Sequence, residues 1–570
     1  MAGVSSVDSA LAIAAPGLTA GKTYIPFTGK ISASGGAHYT WSLSKGALPA
    51  GVMLQGTQTS IVTIAGTATE AGQFPLTLSV TDGIATRAVD VTLVITHSAL
   101  FLSDRNVPGV NELFLTEIGG ETAAPPVRLS ASFPTGGGVS TYAWSPDGSR
   151  VMYLATQSST AVSELWVASL AAPGNAQRVS AQGVSIGQFA WLGAGNIAAY
   201  STGGGDTFLT DLTTSPPSVG KLVVAGKISA ATLRPSPNGT SVGIQLPATN
   251  ANDVSYATWA SGTASAVPLV TVQGGGPYFS YDGRYSVITV GPSGYWFDHS
   301  LPMPVSNSLS SSNGVNFAWH PAAHTLFLST GSGATYELSR ADFTSTGMTK
   351  TPLVSGSNCN SSQLRWSPDG KNGIYVCAAD VRGISNLPTA VAGFDFSLLP
   401  SGFLSNSFTD PAATGWSPDS KWVAIRADRD TNSLYDLHLI RWGAPGVAYK
   451  PHAASIGVGV TTWAFAPNSQ TIAFVGTVSP YANAALYISK LPATGAPPAA
   501  ALASAPASAV VQADVNWLPG ARVIAYRAAL SGAAQLFALT VAADGSTGSV
   551  VPISGASGSG VSSYQLAPVH

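Results

Sequence analysis

The sequence predicts an all-β protein, with a small β-sandwich over residues 1–97 followed by a β-propeller over residues 98–570. Three observations predict it. A Trp-Ser-Pro-Asp-Gly motif recurs about every 47 residues through the last four-fifths of the chain. Between its copies lie short apolar runs broken by glycine and proline, of which the chain has 62 and 38. Charged residues make up only 9%, against about 25% in an average globular protein. Neutral, turn-rich β surface follows from that mixture.

The length of 570 residues exceeds what a single core supports, roughly 250–300 residues. A propeller escapes that limit because each blade adds its own layer of core. The net charge is −2 with 25 Lys and Arg thinly spread, so no basic stripe is available to phosphates and nucleic acid is an unexpected partner. No run of about 18 apolar residues occurs, so no transmembrane helix is expected. The start, Met1-Ala2-Gly3-Val4, lacks the basic and apolar regions of a signal peptide. With the neutral composition, the expectation is an exported protein, secreted, periplasmic or at the cell surface, whose export signal is absent from this chain.

The sandwich rests on residues 39–95. Tyr39-Thr-Trp-Ser-Leu-Ser-Lys-Gly-Ala-Leu-Pro-Ala-Gly-Val-Met-Leu54 precedes Ile64-Ala-Gly-Thr67, then Gly72-Gln-Phe74 through Val80-Thr-Asp82, then the alternating run Ala88–Ile95. Such short alternating runs describe strands of a two-sheet sandwich. Trp41, expected on a central strand, would fill the space between the sheets. These residues resemble the Ig-like, cadherin-like modules of bacterial surface proteins, with Trp41, Gly46, Leu48, Pro49, Gly51, Gly66, Thr67, Gly72, Phe74, Val80 and Asp82 on the pattern. Asp82 is expected to form a turn, one carboxylate being too few for calcium.

The repeat is clear at Trp144-Ser-Pro-Asp-Gly148, Trp366-Ser-Pro-Asp-Gly370 and Trp416-Ser-Pro-Asp-Ser420. Weaker copies begin at Trp191, Pro235, Phe279, Trp319, Phe465 and Trp517, and the successive spacings run 47, 44, 44, 40, 47, 50, 49 and 52. Pro-Asp-Gly is a turn tripeptide, so it joins two strands as a hairpin. The preceding Trp suits packing between neighbouring blades. Short strand units that cannot bury both faces alone must stack radially. The motif, with Phe101-Leu-Ser-Asp-Arg-Asn106 and Ala427-Asp-Arg-Asp-Thr-Asn432 at its second turn, resembles the TolB-like, WD40-like propeller repeat.

The copy at Phe101 lacks its Trp-Ser-Pro strand, and Val561-Ser-Ser-Tyr-Gln-Leu-Ala-Pro568 matches Val139-Ser-Thr-Tyr-Ala-Trp-Ser-Pro146. The last strand is therefore expected to complete the first blade, giving about ten four-stranded repeats closed by the C-terminal strand. Since propellers usually have about 4–8 blades, the repeats form either one unusually large ring, which the shared blade favours, or two rings. A propeller that melts much the same without residues 1–96 is the companion expectation.

Chemistry is harder to find. Gly183-Val-Ser-Ile-Gly187 matches a nucleophile elbow, but the required strand-to-helix turn is not predicted, so Ser185 is expected to be inert. Asp428, Asp430, Asn432 and Asp436 make a weak calcium candidate without the glycine or closing Glu of an EF-hand. His320 and His324, four apart across a β-turn rather than on a helix, are expected to decorate that turn. Cys359 and Cys377 flank one hairpin and are expected to form a disulfide. No catalytic or cofactor-binding residue and no cofactor are expected. Trp144, Trp191, Trp319, Trp366, Trp416 and Trp517 are repeat anchors.

The expected function is a non-enzymatic extracellular or periplasmic binding or scaffold protein, presenting a propeller face to a protein or glycan at the cell envelope. Two rivals remain: a self-associating surface-layer or fibre subunit, which low charge would permit, and a carbohydrate-active enzyme with its site in the propeller funnel.

Overall fold

The computed structural model describes residues 10–569 except 15–17, 37, 120–123, 219, 227, 248–251, 261–262, 271–273, 302, 311–313, 333–334, 358–363, 378–379, 391–394, 400–413, 428–434, 453–458, 478–482, 504–508, 530–531, 543 and 556–559. Every long element is a strand.

The N-terminal sandwich pairs one sheet, ordered Ala12–Ile13, Pro26–Ser34, Ile61–Thr67, Val52–Gln55, with strands Thr40–Lys45, Gly72–Thr81 and Thr86–Ser103. Alternation along Gly72–Thr81 sends Phe74, Leu76, Leu78 and Val80 inward, all at most 2% exposed. They meet Ile31, Val62 and Ile64 of the facing sheet. Trp41 is buried as expected, its indole N–H donating to the Thr59 carbonyl at 2.9 Å. Its strand, however, lies at the edge of its sheet rather than the centre. The ring reaches the core because alternation along Thr40–Lys45 points Trp41 toward the facing sheet while Thr40 and Ser42 face water. Two glycines of the pattern are forced by close approach: a Cβ on Gly51 would sit 2.0 Å from the Thr67 carbonyl oxygen, and one on Gly66 2.0 Å from that of Gly51.

Thr86–Ser103 is the hinge-free joint of the molecule. Its first half pairs with Gly72–Thr81, while residues 97–103 pair with Glu112–Ile118. Val561–Leu566 binds the other edge, with Tyr564 opposite Phe101 and Leu566 opposite Ala99. The last strand thus completes the first blade, in the place the motif required. Nine further four-stranded antiparallel sheets follow, from Val139–Trp144 onward to Thr547–Pro552. Each expected repeat, including the weak ones at Pro235 and Phe279, is one of them.

Ten hydrophobic clusters lie between consecutive blades. The first and second blades share Leu100, Leu113, Tyr142 and Tyr153, and the second and third share Leu154, Leu165, Ile186 and Trp191. The series continues around the molecule. Its last member packs Val523, Ala525 and Leu536 of the tenth blade on Phe101, Phe114 and Tyr564 of the first. Because every blade touches the next and the tenth touches the first, the ten form one closed ring, which removes the free edges an open array would expose.

The sandwich is not a loose appendage. Ala71 is fully buried in the cluster between the tenth and first blades, and its N–H donates to the Pro519 carbonyl at 2.9 Å. His97, 1% exposed, binds Thr23 of the sandwich through Nδ1 at 2.7 Å and the Ala567 carbonyl through Nε2 at 3.1 Å. A neutral ring satisfies both, Nε2–H donating to Ala567 and Nδ1 accepting from the Thr23 hydroxyl. These contacts change the expectation for a chain lacking residues 1–96: it should melt below the intact protein, having lost Ala71 and the Thr23 support of His97, with only the Ala567 contact left.

Two predictions follow from this arrangement. Deleting residues 561–570 removes Tyr564, the pairing with Ala99–Ser103 and the carbonyls of Val561 and Ser562, which Arg527 binds at 2.9 and 2.5 Å. Leu566 is only partly buried, so most of the packing loss falls on Tyr564. The cost should be about 3–8 kcal/mol, seen as aggregation or a much lower Tm in a thermal melt; an unchanged Tm would contradict ring closure.

Burial pushes the pKa of His97 down to about 4, and that of His299, stacked 4.2 Å from Tyr256, likewise to about 4. The unfolded chain takes up these protons near 6.5 and the folded chain does not. Stability is therefore intact above 6.5 and falls as pH drops toward 4, by up to about 3 kcal/mol for each histidine. Melts across that range should show the loss, and His97→Gln should reduce it while His299 maintains the rest.

Candidate functional site

The anchor tryptophans end the first strand of their blades, and their role is structural. The indole N–H of Trp191 donates to the carbonyl of Ala143, the residue before Trp144 in the preceding blade, at 3.1 Å. Trp319 does the same to Tyr278, Trp366 to Ala318 and Trp517 to Ala464, at 3.0, 2.9 and 3.0 Å. Trp144 closes the relay by donating to Gln565 of the C-terminal strand at 3.4 Å. Trp416 departs from it: its buried indole nitrogen has no hydrogen bond, and its ring lies 4.6 Å from that of Trp442.

The rest of the motif ties off the hairpin. Ser145 Oγ donates to Asp147 Oδ1 at 2.6 Å and accepts from Arg150 N at 2.9 Å, while Asp147 also accepts from Ser149 N. The same knot forms at Ser280–Asp282, Ser367–Asp369 and Ser417–Asp419, and at Ser236 with Asn238 in place of Asp. Burial opposes charge here, yet the hydroxyl and backbone donors hold the carboxyls of Asp147, Asp369 and Asp419 below the ordinary carboxylate value.

His320, in the Ser position of the sixth blade, accepts from Ala322 N at 3.0 Å and donates through Nε2 to Gly370 O of the seventh at 3.0 Å. A Cβ on Gly370 would stand 2.2 Å from that nitrogen, so glycine serves both the turn, at φ +70°, and the imidazole. His324 turns the other way, Nε2 lying 2.7 Å from Asp282 of the fifth blade. The two histidines therefore tie opposite neighbours and do not converge on a ligand.

Ser185 is exposed and directly precedes the strand Ile186–Leu192, so the glycines around it do not make a strand-to-helix elbow. Of the calcium candidates, Asp428, Asp430 and Asn432 lie outside the described residues. Asp436 is buried and bound by Lys450 Nζ at 2.7 Å. Among the described residues no three His, Cys, Asp or Glu side chains gather as a metal site. Asp82 makes its turn as expected, Oδ1 accepting from Ile84 N and Ala85 N at 2.9 and 2.7 Å. Cys377 ends the strand Gly373–Cys377 and is disulfide-bonded; Cys359 lies outside the described residues.

Two clefts remain. One, about 460 Å³, separates the sandwich from the ninth and tenth blades and is crossed by the pair Arg522–Glu70 at 3.4 Å. The larger, about 720 Å³, opens between the outer edge of the second blade and the facing side of the third. Gln177 and Arg178 come from the outermost strand of the second blade, and Gln182 from the segment leading to the third. Tyr200 and Phe208 come from the middle strands of the third blade, their rings stacked at 5.3 Å and 15°. Gln177 Nε2 donates to Ser215 Oγ at 2.6 Å, drawing the loop between Thr207–Asp211 and Lys221–Val224 across one side. Sequence reasoning missed all of these residues. They sit in blade positions that vary between repeats, and nothing in the motif marks them.

Residues 7–96 match the putative Ig domain family. No curated protein matches the chain. Similar solved structures include a eukaryotic initiation factor, 11% identical over 72% of this chain and 96% of that one with a TM-score of 0.46. An oligogalacturonate lyase in complex with manganese is 12% identical over 59% and 94%, TM-score 0.30. TolB from Acinetobacter baumannii is 15% identical over 57% and 82%, TM-score 0.25. The strand pairing of the chain itself establishes an N-terminal Ig-like module, over the residues that match that family, followed by a β-propeller.

The knot makes a stability prediction. Ser417→Ala removes a fully buried hydroxyl, stranding the buried Trp422 N and taking one bond from the exposed Asp419, so it should cost about 1–3 kcal/mol. Ser185→Ala, at an exposed site, should stay within about 0.5 kcal/mol of wild type. Paired thermal melts check both.

Proposed function

We propose that the protein is a non-enzymatic, extracellular or periplasmic binding and scaffold protein. The ring offers a rigid face to a protein or glycan of the cell envelope, with the sandwich as its spacer. The observation supporting this reading is where the polar side chains go. The repeated Ser, Asp and Trp groups are engaged in turn knots and blade-to-blade bonds. The cleft between the second and third blades is lined instead by amides, hydroxyls and an aromatic floor, a composition suited to holding a ligand. Among the described residues no helix is long and apolar enough to cross a membrane. Self-assembly has one observation in its favour, an apolar loop on the fifth blade where Leu301, Met303 and Val305 are 49%, 76% and 63% exposed.

The test is saturable cosedimentation of the purified chain with bacterial envelope fractions, before and after protease or glycosidase treatment of those fractions. Binding abolished by one treatment, with no new reducing ends or unsaturated products and no labelling of Ser185 by a fluorophosphonate probe, is the expected result. Product formation proportional to protein would replace this reading with a carbohydrate-active enzyme. Ordered arrays of the chain alone in electron micrographs would replace it with a surface-layer subunit.

A further inference from the structure

We propose that the cleft between the second and third blades binds a short neutral oligosaccharide, an inference that rests on the binding-protein reading above. Its volume of about 720 Å³ lies within the range of sites for small organic ligands, about 300–1,000 Å³. The floor is aromatic. Phe208, half-buried, stacks on the buried Tyr200 and is flanked by Val179 and Val184. A sugar ring has one face of C–H bonds, which suits such a surface.

Above the floor stand groups that carry no charge. Gln177 and Gln182 each present an amide, Gln177 also reaching Ser215 and Gln182 Oε1 also accepting from Arg178 at 3.4 Å, and Thr202 adds a hydroxyl, while Ser218 is bound to the Asp211 backbone. An amide can accept from one sugar hydroxyl and donate to its neighbour, which neither an ammonium nor a carboxylate can do.

The two charges at the rim are already engaged. Arg178 pairs with Glu164 at 3.7 Å and lies over the Trp166 ring, while Asp206 Oδ1 accepts from Gly226 N at 2.7 Å. They are opposite in sign, so the site has no net attraction for a polyanion. Gly220 keeps the wall thin, since a Cβ there would stand 2.3 Å from the Tyr200 hydroxyl. These features together favour a neutral glycan over an acidic glycan or a charged peptide.

The full chain is titrated calorimetrically with cellotriose, maltotriose, triacetylchitotriose and trigalacturonate, and the same titrations are run on Gln182→Ala and Phe208→Leu. At least one neutral trisaccharide should bind at one site per chain. Gln182→Ala, at an exposed position, should weaken it about 10-fold, the equivalent of one good hydrogen bond, with Tm unchanged. Phe208→Leu should weaken it comparably, and if that variant does not fold, Gln182→Ala decides alone. The proposal is overturned if none of the three neutral sugars binds, if trigalacturonate binds more tightly than all of them, or if Gln182→Ala binds like wild type. Envelope binding that persists in Gln182→Ala would leave the binding-protein reading standing while removing this cleft as its site.

Discussion

The pairing of Val561–Leu566 with residues 99–103 is the contact on which the rest of the ring depends. It joins segments more than 450 residues apart, so its loop-closure entropy is among the largest in the chain. Once made, it turns a row of ten blades into a cycle in which every blade has two neighbours. The tenth cluster then exists, and Trp144 finds Gln565 of the C-terminal strand as Trp191 finds Ala143 of the preceding blade. Arg527 and Tyr564 fasten the same strand to the tenth blade, the phenol donating to the Ala525 carbonyl at 2.7 Å.

Closure also determines how the two modules are joined. Thr86–Ser103 is both a strand of the sandwich and the second strand of the first blade, so there is no linker for the sandwich to swing on. His97 sits where the N-terminal module, this strand and the C-terminal tail meet, and its neutral ring is bonded on both sides. A module held in this way keeps one orientation relative to the ring.

The candidate cleft arises from departure from the repeat. Every pair of neighbouring blades shares an apolar cluster, the second and third included. Between the second and third blades the loop carrying Ser215 and the segment carrying Gln182 hold the outer halves apart, and amides line the opening. A repeat array supplies rigidity through what its units share and a ligand site through what one pair does differently.

The sequence by itself determined the all-β class, the sandwich, a propeller of about ten repeats and the closing strand, because each rests on local chemistry that recurs; one ring rather than two was decided by the structure. Pro-Asp-Gly turns, alternating apolar runs and an anchor Trp are legible one repeat at a time, and even degenerate anchors such as Pro235 and Phe279 kept the period. Only the tertiary structure decided that Trp41 lies on an edge strand, that Ala71 packs into the ring, and that His320 and His324 serve opposite neighbours. It alone brought Gln177, Gln182, Tyr200 and Phe208 to one cleft. Those relations join residues from different sheets, and a contact between sheets leaves no period along the chain from which it could be read.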